Sequence, residues 1–198
     1  MNCIERCLKR TFDFTLALVS LVLFSPVMLI IAILIRREEP DGDVIYTQER
    51  VGYKGRPFKL YKFRSMYMDA EKDNAPQLYQ EQDPRLTKIG AFIRAHHLDE
   101  FPQLWNVIKG DMSFVGPRPE RQYFIDQISA VRPDYERLYA LRPGLFSFAT
   151  LYNGYTDTLE KMLRRLDLDI KYLENYSLWT DIKIIFLTSQ SIIFGKKF

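Results

Sequence analysis

Two cysteines, Cys3 and Cys7, are all the thiol this 198-residue chain carries. Two thiols four residues apart make neither a disulfide framework nor a complete zinc site, which excludes both as the basis of the fold. Histidine is just as scarce. His96 and His97 are the only two, and without neighbouring cysteines or a second histidine pair they read as surface or packing residues. The formal charge is only +3, with both signs mixed along the chain, so a nucleic-acid partner is not expected. No internal repeat and no linker divides the sequence, and residues 1–198 are expected to form a single domain.

What the chain does have is a long uncharged run. Phe14 to Ile35 is 22 residues without Asp, Glu, Lys or Arg, about 33 Å as a helix and enough to cross a bilayer core. Its length, and the lack of a small-residue cleavage site, argue against a removable signal. Ser25-Pro26 interrupts it near the middle. Proline removes a backbone hydrogen bond and clashes with the preceding turn, so a kink is expected there, with Ser25 placed to cover the freed carbonyl. Each half then measures about 15 to 18 Å, roughly half the hydrocarbon thickness. Both flanks are basic, with Arg6, Lys9 and Arg10 before the run and Arg36 and Arg37 after it, and basic flanks prefer the cytoplasm. The pattern predicts a re-entrant membrane helix and its flanks over residues 1–37, bent at Ser25 and Pro26. A plain spanning anchor is the alternative. Asp13, at the boundary, is expected to pair with Lys9 or Arg10.

The rest of the chain, residues 38–198, is read as a cytoplasmic part organised around the stretch from Leu98 to Pro119. Asp99 and Glu100 precede Phe101, Leu104, Trp105 and Ile108, which fall at helical spacing. The plain reading is two acids capping a helix start. Beyond it, Lys109-Gly110-Asp111 signals a turn. Gly116-Pro117-Arg118-Pro119 is a stiff loop that fixes where the Arg118 guanidinium points, and a planar cation so held suits a phosphate. Upstream, Val44 to Thr47 and Phe58 to Phe63 read as a β-hairpin around Gly52 and Gly55. From Arg50 to Arg64 there are six basic residues, Arg50, Lys54, Arg56, Lys59, Lys62 and Arg64, and no acid. On an extended strand Lys62 and Arg64 share one face. A cationic edge beside a carboxylate pair suits a diphosphate and its metal; a solvated or lipid-facing basic patch is the plainer reading.

Asp69 to Pro84 is polar and acid-rich, a short helix then a loop at the surface. Arg85 to Arg94 carries Leu86, Ile89 and Ile93 at helical spacing and delivers His96-His97-Leu98 to the acid pair. Glu120 to Tyr139 is helical in pattern apart from Pro133, and Arg142-Pro143-Gly144 stops it. Leu145 to Tyr155 reads as an aromatic loop. Leu159 to Phe194 holds one or two amphipathic helices, with an apolar stripe of Leu178, Trp179, Ile182, Ile185 and Phe186 and with Asp181 and Lys183 off it. Trp179 and the closing Lys196-Lys197 point to docking at a membrane interface. The fold class is α+β, mostly helical.

With these motifs together the chain resembles the bacterial sugar transferases, the monotopic polyprenyl-phosphate phosphoglycosyl transferases, in their minimal catalytic form. The resemblance covers nearly the whole chain. It rests on Lys9-Arg10 with Phe12-Asp13, Ser25-Pro26, Tyr46 to Gly52, Lys62-Phe63-Arg64-Ser65-Met66 and Asp83-Pro84-Arg85. It continues through Leu98-Asp99-Glu100, Pro102-Gln103-Leu104, Asn106-Val107, Gly110 to Ser113, Gly116 to Pro119 and Arg142-Pro143-Gly144.

That resemblance implies an enzyme in which Asp99 attacks the β-phosphate of a UDP-sugar, releasing UMP and leaving a phosphosugar on the protein that polyprenyl phosphate then takes. It implies Asp99 and Glu100 as the catalytic pair and as the ligands of Mg²⁺, with Glu100 also the candidate base that deprotonates the acceptor, and Lys62, Arg64, Arg94 and Arg118 as phosphate contacts. The implied partners are a UDP-sugar, polyprenyl phosphate and the phospholipid bilayer, with a homodimer left open. The place is the cytoplasmic face of a bacterial inner membrane. An anionic carboxylate attacking an anionic diphosphate needs a cation to suppress repulsion, and the residues agree with that need. The chain departs from the family pattern after Gly144: Leu145-Phe146-Ser147 stands where a Thr-Gly pair is usual, and Tyr155 follows Asn153-Gly154 where an arginine is usual. These departures motivate a second reading, an inactive membrane scaffold for glycan-assembly enzymes. Direct attack by the acceptor phosphate is the alternative mechanism.

Overall fold

The computed structural model of the chain describes residues 3–70, 83–153 and 156–193. The uncharged run forms one helix, α1, Cys3–Glu38, with Pro26 inside it. Pro26 leaves the Val22 carbonyl without its usual donor, and the Ser25 hydroxyl donates to that carbonyl at 2.7 Å. The expected local repair is therefore present. The hairpin follows as β1, Ile45–Val51, antiparallel to β2, Pro57–Phe63, in a register that runs from Ile45 opposite Phe63 to Val51 opposite Pro57. Next come α2, Lys88–Ala95, capped by the Thr87 hydroxyl, and α3, Gln103–Lys109, closed by Gly110 at φ 95°.

Both ends of α1 are tied to this body by polar contacts. At the start, Lys9 lies 3.0 Å from Asp13 and 2.7 Å from Asp181, and Arg10 donates to the carbonyls of Val107 and Ile108, the last turn of α3. At the other end the Glu38 carboxylate accepts from the N–H groups of Lys88 and Ile89, the first turn of α2. Between these ties one side of α1 packs on the body. Ala17 joins Leu60, Leu104, Val107 and Met112, while Ile31 and Ile35 join Phe63 and Ile93. The other side is bare, with Val22, Leu23 and Leu29 each more than 60% exposed.

Beyond the acid pair the chain differs from the sequence reading in several places. Residues 145–155 are not simply a loop: β3, Ser113–Val115, pairs in parallel with β4, Gly144–Phe146, and α5, Phe148–Asn153, follows. Strands of three residues bounded by Gly and Pro show no period. The 120–139 stretch divides into α4, Gln122–Val131, and a 3-10 helix, Pro133–Ala140, because Pro133 cannot continue α4. Asp83, read as surface, is buried and paired with Arg85 at 2.6 Å. Residues 71–82, Tyr155 and Lys196-Lys197 lie outside the described residues.

The tail is α6, Leu159–Asn175, and α7, Leu178–Ile193. α6 packs Met162, Leu166 and Ile170 on Phe124, Ile128 and Leu138. α7 is turned with its carboxylate inward. Asp181 is fully buried, taking the Tyr172 hydroxyl at 2.6 Å and facing Lys9, whereas Trp179 and Phe186 of the apolar stripe are 76% and 63% exposed.

Candidate active site

The acid pair begins with an unusual backbone. His97 takes a left-handed conformation, φ 56° and ψ 20°, which a residue with a Cβ adopts rarely and at some cost. This reversal at the end of α2 carries the chain into a 3-10 turn over Leu98–Glu100. The expectation of acidic helix caps is corrected here: Pro102 is the N-cap of α3, and no side chain caps it. Asp99 and Glu100 have other partners.

Lys62 donates to Glu100 Oε1 at 2.8 Å and stands 3.9 Å from Asp99 Oδ2. Arg118 donates to the same Glu100 oxygen at 2.9 Å. Burial by itself would raise the Glu100 carboxyl, but the charges of Arg118 and Lys62 outweigh it and hold it well below the usual carboxylate range. Asp99 goes the other way. It is 6% exposed, and burial pushes its carboxyl up against the pull of Lys62 and Arg94, with the Glu100 charge adding to the rise. The neighbours thus divide the labour: Glu100 anchors two cations, and Asp99 keeps a basic, electron-rich carboxylate.

Each cation arrives by a separate device. β2 is pinned to α3 by Asn106, which is fully buried, accepts from the Tyr61 N–H at 3.1 Å and donates to the Lys59 carbonyl at 2.7 Å. One side chain does the work of a third strand, and Lys62 is delivered to the acids. The Arg118 loop is fixed by backbone contact between two motifs. A Cβ on Gly144 would stand 2.0 Å from the Gly116 nitrogen, and one on Gly116 would stand 2.3 Å from the Arg142 carbonyl oxygen. With both side chains absent, the Gly144 N–H donates to the Pro117 carbonyl at 2.9 Å and the Gly116 N–H to the Phe146 carbonyl at 3.0 Å.

The acids, Lys62, Arg94 and Arg118 line one cavity of about 630 Å³, within the range of small-ligand sites. α1 and α7 line it with Ser20, Phe24, Thr188 and Ile192, and β1 and α6 with Gln48, Arg50 and Arg165. Of the six basic residues on the hairpin only Lys62 pairs with the acids. Arg50 pairs with Glu120 at 3.0 Å, and Lys54, Arg56 and Lys59 are exposed. Arg64 also touches the cavity, yet its guanidinium turns to the end of α1, donating to the Glu39 carbonyl at 3.1 Å and lying 3.6 Å from the Glu39 carboxylate. Its geometry is that of a tie between β2 and α1: the Arg64 N–H still donates to the Val44 carbonyl at 2.9 Å beyond the last strand residue, while its side chain reaches Glu39. The His96 ring N–H donates to the Phe92 carbonyl at 2.8 Å, and its ring lies tilted against the Phe92 ring.

Asp99 and Glu100 are the residues that could hold a divalent ion such as Mg²⁺. Asp99 and Glu100 offer hard oxygens side by side, and among the described residues no group of three or more Asp, Glu, His or Cys stands together. An ion that takes one or two carboxylates and completes its shell with water and substrate oxygens matches such a pair. Sequence reasoning assigned no site role to Glu120, Arg165 or Asp169 and read Ser147 only as a departure from the family pattern; all four are buried around the Arg118 loop. Buried charge is invisible in a polar face of an amphipathic helix.

The fold joins a long apolar helix, bare along one side, to a hairpin and an acid pair bracketed by cations. The bacterial sugar transferase family model matches residues 4–195, and the chain belongs to that family. It is 42% identical over 188 residues to UDP-N-acetylgalactosamine-undecaprenyl-phosphate N-acetylgalactosaminephosphotransferase of Aeromonas hydrophila, covering 95% of this chain and 44% of that protein. It is 42% identical over 187 residues to UDP-glucose:undecaprenyl-phosphate glucose-1-phosphate transferase of Escherichia coli K12, covering 93% and 40%. The protein with that same name from Caulobacter vibrioides is 40% identical over 189 residues, covering 93% and 69%. The chain thus spans less than half the length of the first two relatives.

Proposed function

We propose that this chain transfers a phosphosugar from a UDP-sugar to polyprenyl phosphate, as undecaprenyl phosphate in the relatives' names, as the first membrane step of surface glycan synthesis. The observation that carries this is the unequal acid pair: Asp99 buried with a raised carboxyl, beside Glu100 that holds Lys62 and Arg118. An Asp99 oxygen attacks the β-phosphorus, the bond to the bridging oxygen breaks, and UMP leaves. An oxygen of polyprenyl phosphate then attacks the same phosphorus. Asp99 departs as a carboxylate, and polyprenyl-diphosphate-sugar is the product. Lys62 and Arg118 stabilise charge on the phosphates, and Arg94 adds positive potential at Asp99. Glu100, held so far down, is a poor proton acceptor and serves to place the two cations. Mg²⁺, held by Asp99 and Glu100, would offset charge on the diphosphate as a Lewis acid.

The membrane reading rests on α1. A helix that crossed the bilayer would put its two ends in different compartments, whereas Lys9, Arg10 and Asp13 at one end and Glu38 at the other bond the same folded body. A dip into one leaflet, turned at Ser25-Pro26, satisfies both ends and covers the bare side of α1 with lipid. The outward stripe of α7 would lie at the same interface. The cavity then opens at the cytoplasmic face, at the depth of the acceptor's phosphate.

The test uses purified protein, Mg²⁺ and a panel of UDP-sugars without acceptor. UMP release with a stoichiometric mass adduct on Asp99, absent in Asp99→Asn, is expected. Turnover with no adduct would point to direct attack by the acceptor, and no UMP from any donor would leave the scaffold reading.

A further inference from the structure

Two residues of α6 that the transfer chemistry leaves unused hold the Arg118 loop from behind. Asp169 is 2% exposed, and both its oxygens are occupied: Oδ2 accepts from the Arg118 backbone N–H at 3.4 Å and Oδ1 from the Ser147 hydroxyl at 3.1 Å. Arg118 stands between Pro117 and Pro119, neither of which has an N–H, so Asp169 takes the one backbone donor of that tripeptide. Ser147 in turn accepts from the N–H groups of Ala149 and Thr150 at 3.0 and 3.3 Å, which joins the carboxylate to the start of α5. One helical turn before Asp169, on the same face, Arg165 pairs with Glu120 and donates to Thr156 at 3.0 Å. Arg50 closes on Glu120 from β1 at 3.0 Å. α6 therefore grips the loop on both sides of Pro119, once by backbone and once by side chain.

A long arginine side chain holds one direction only if its backbone is fixed and few rotamers remain. The Gly116–Gly144 contact fixes the start of the loop. Nothing in that contact fixes its far side, where the α6 pair acts. We infer that Asp169 and Arg165 are positioning residues for the donor diphosphate: by clamping residues 118–120 they set where the Arg118 guanidinium meets Glu100 and the phosphates. This rests on the phosphate-binding reading of the site, and it adds α6 to the elements that determine donor affinity.

The experiment is a double-mutant cycle on UDP affinity, measured by calorimetry on the full chain in detergent, with UMP release followed in parallel. Asp169→Ala leaves a buried N–H unpaired and is expected to weaken UDP binding about tenfold. Asp169→Asn, whose side-chain carbonyl accepts the same N–H, should recover to within about threefold of wild type. In an Arg118→Ala background the Asp169→Ala effect should shrink below about twofold, because the group it acts through is gone. A general loss of structure would instead multiply through unchanged, and that result overturns the inference. Should Asp169→Ala fail to fold, Arg165→Lys is run through the same cycle, with a loss of about threefold expected to vanish beside Arg118→Ala; a persisting loss overturns the clamp equally. Coupled UDP binding without UMP release would keep the clamp and remove the transfer reading. UMP release with an additive cycle would do the reverse, and wild-type protein that binds no UDP removes both.

Discussion

Lys62, on β2, and Glu100, in the turn before α3, meet at 2.8 Å across the cavity wall. Arg118 shares the same oxygen at 2.9 Å, so the carboxylate is a hub that two cations need in order to face a phosphate together. Removing either cation leaves Glu100 partly uncompensated, and removing Glu100 sets both cations loose.

Lys62→Met is accordingly expected to lower kcat/KM for UMP release by about 100-fold, the scale of breaking one buried, hydrogen-bonded charge pair. Arg64→Met should cost far less in activity, since its guanidinium serves Glu39. Steady-state kinetics of the two variants, side by side, would separate a phosphate contact from a tie. Equal losses would return Arg64 to the site.

Helix α1 gives a topological prediction. Single cysteines near residues 2 and 40, in a chain freed of Cys3 and Cys7, should react with an impermeant maleimide only from the cytoplasmic side of inverted and right-side-out vesicles. Ser25→Ala removes the donor that covers the Val22 carbonyl, at a cost of about 1 kcal/mol. Pro26→Ala supplies the backbone N–H that the Val22 carbonyl lacks and should suppress that cost in the double variant. Labels appearing on opposite sides in the unaltered helix would establish a spanning anchor.

The outward stripe of α7 can be tested without touching the site. Trp179→Ser and Phe186→Ser remove exposed apolar side chains, and each should reduce liposome co-sedimentation of a variant lacking residues 1–37 by about tenfold, the scale of 1.4 kcal/mol. If that shortened chain does not fold, detergent-to-bicelle exchange of the full chain gives the same comparison. Unchanged partition would assign the stripe to another protein surface.

A pH dependence follows from Asp169. Burial pushes its carboxyl up to about 7, against the opposing charge of Arg165. The folded state therefore holds a proton that the unfolded chain releases near the ordinary carboxylate value of about 3.9. Stability from this group is full below that value and is lost as pH rises through about 7. Relative to Asp169→Asn, wild type should lose at most about 1.4 kcal/mol of unfolding free energy per pH unit between pH 5 and 7, read from denaturant titrations. Parallel pH curves for the two proteins would show that Asp169 stays ionised in the fold.

Much of this was legible in the residues themselves. A hairpin announced by Gly52 and Gly55, a helix expected over 85–94 and found at Lys88–Ala95, the acid pair and the stiff Arg118 loop all follow from local rules, because turns, caps and periodicity are set by neighbours in sequence. The hairpin's six cations were read as one patch, and there local rules stopped. Lys62 and Arg64 lie two residues apart, yet one serves the acids and the other the end of α1, because Glu100 and Glu39 are brought to them from distant parts of the chain.

An apolar helix with a proline in it, a carboxylate pair and rigid Gly-Pro motifs depend on composition and on contacts within a few residues, and they can be read directly from the chain. Packing chose which cation serves which acid, placed Asn106 where a strand would pair, and set Asp169 and Arg165 of α6 against the Arg118 loop. Those pairings join residues 18 to 51 positions apart, and long-range partners are chosen by how helices pack and which charges burial forces together. Asp181 makes the point most plainly: its own helix marks it as solvent-facing, and it lies inside because Lys9 and Tyr172 wait there for it.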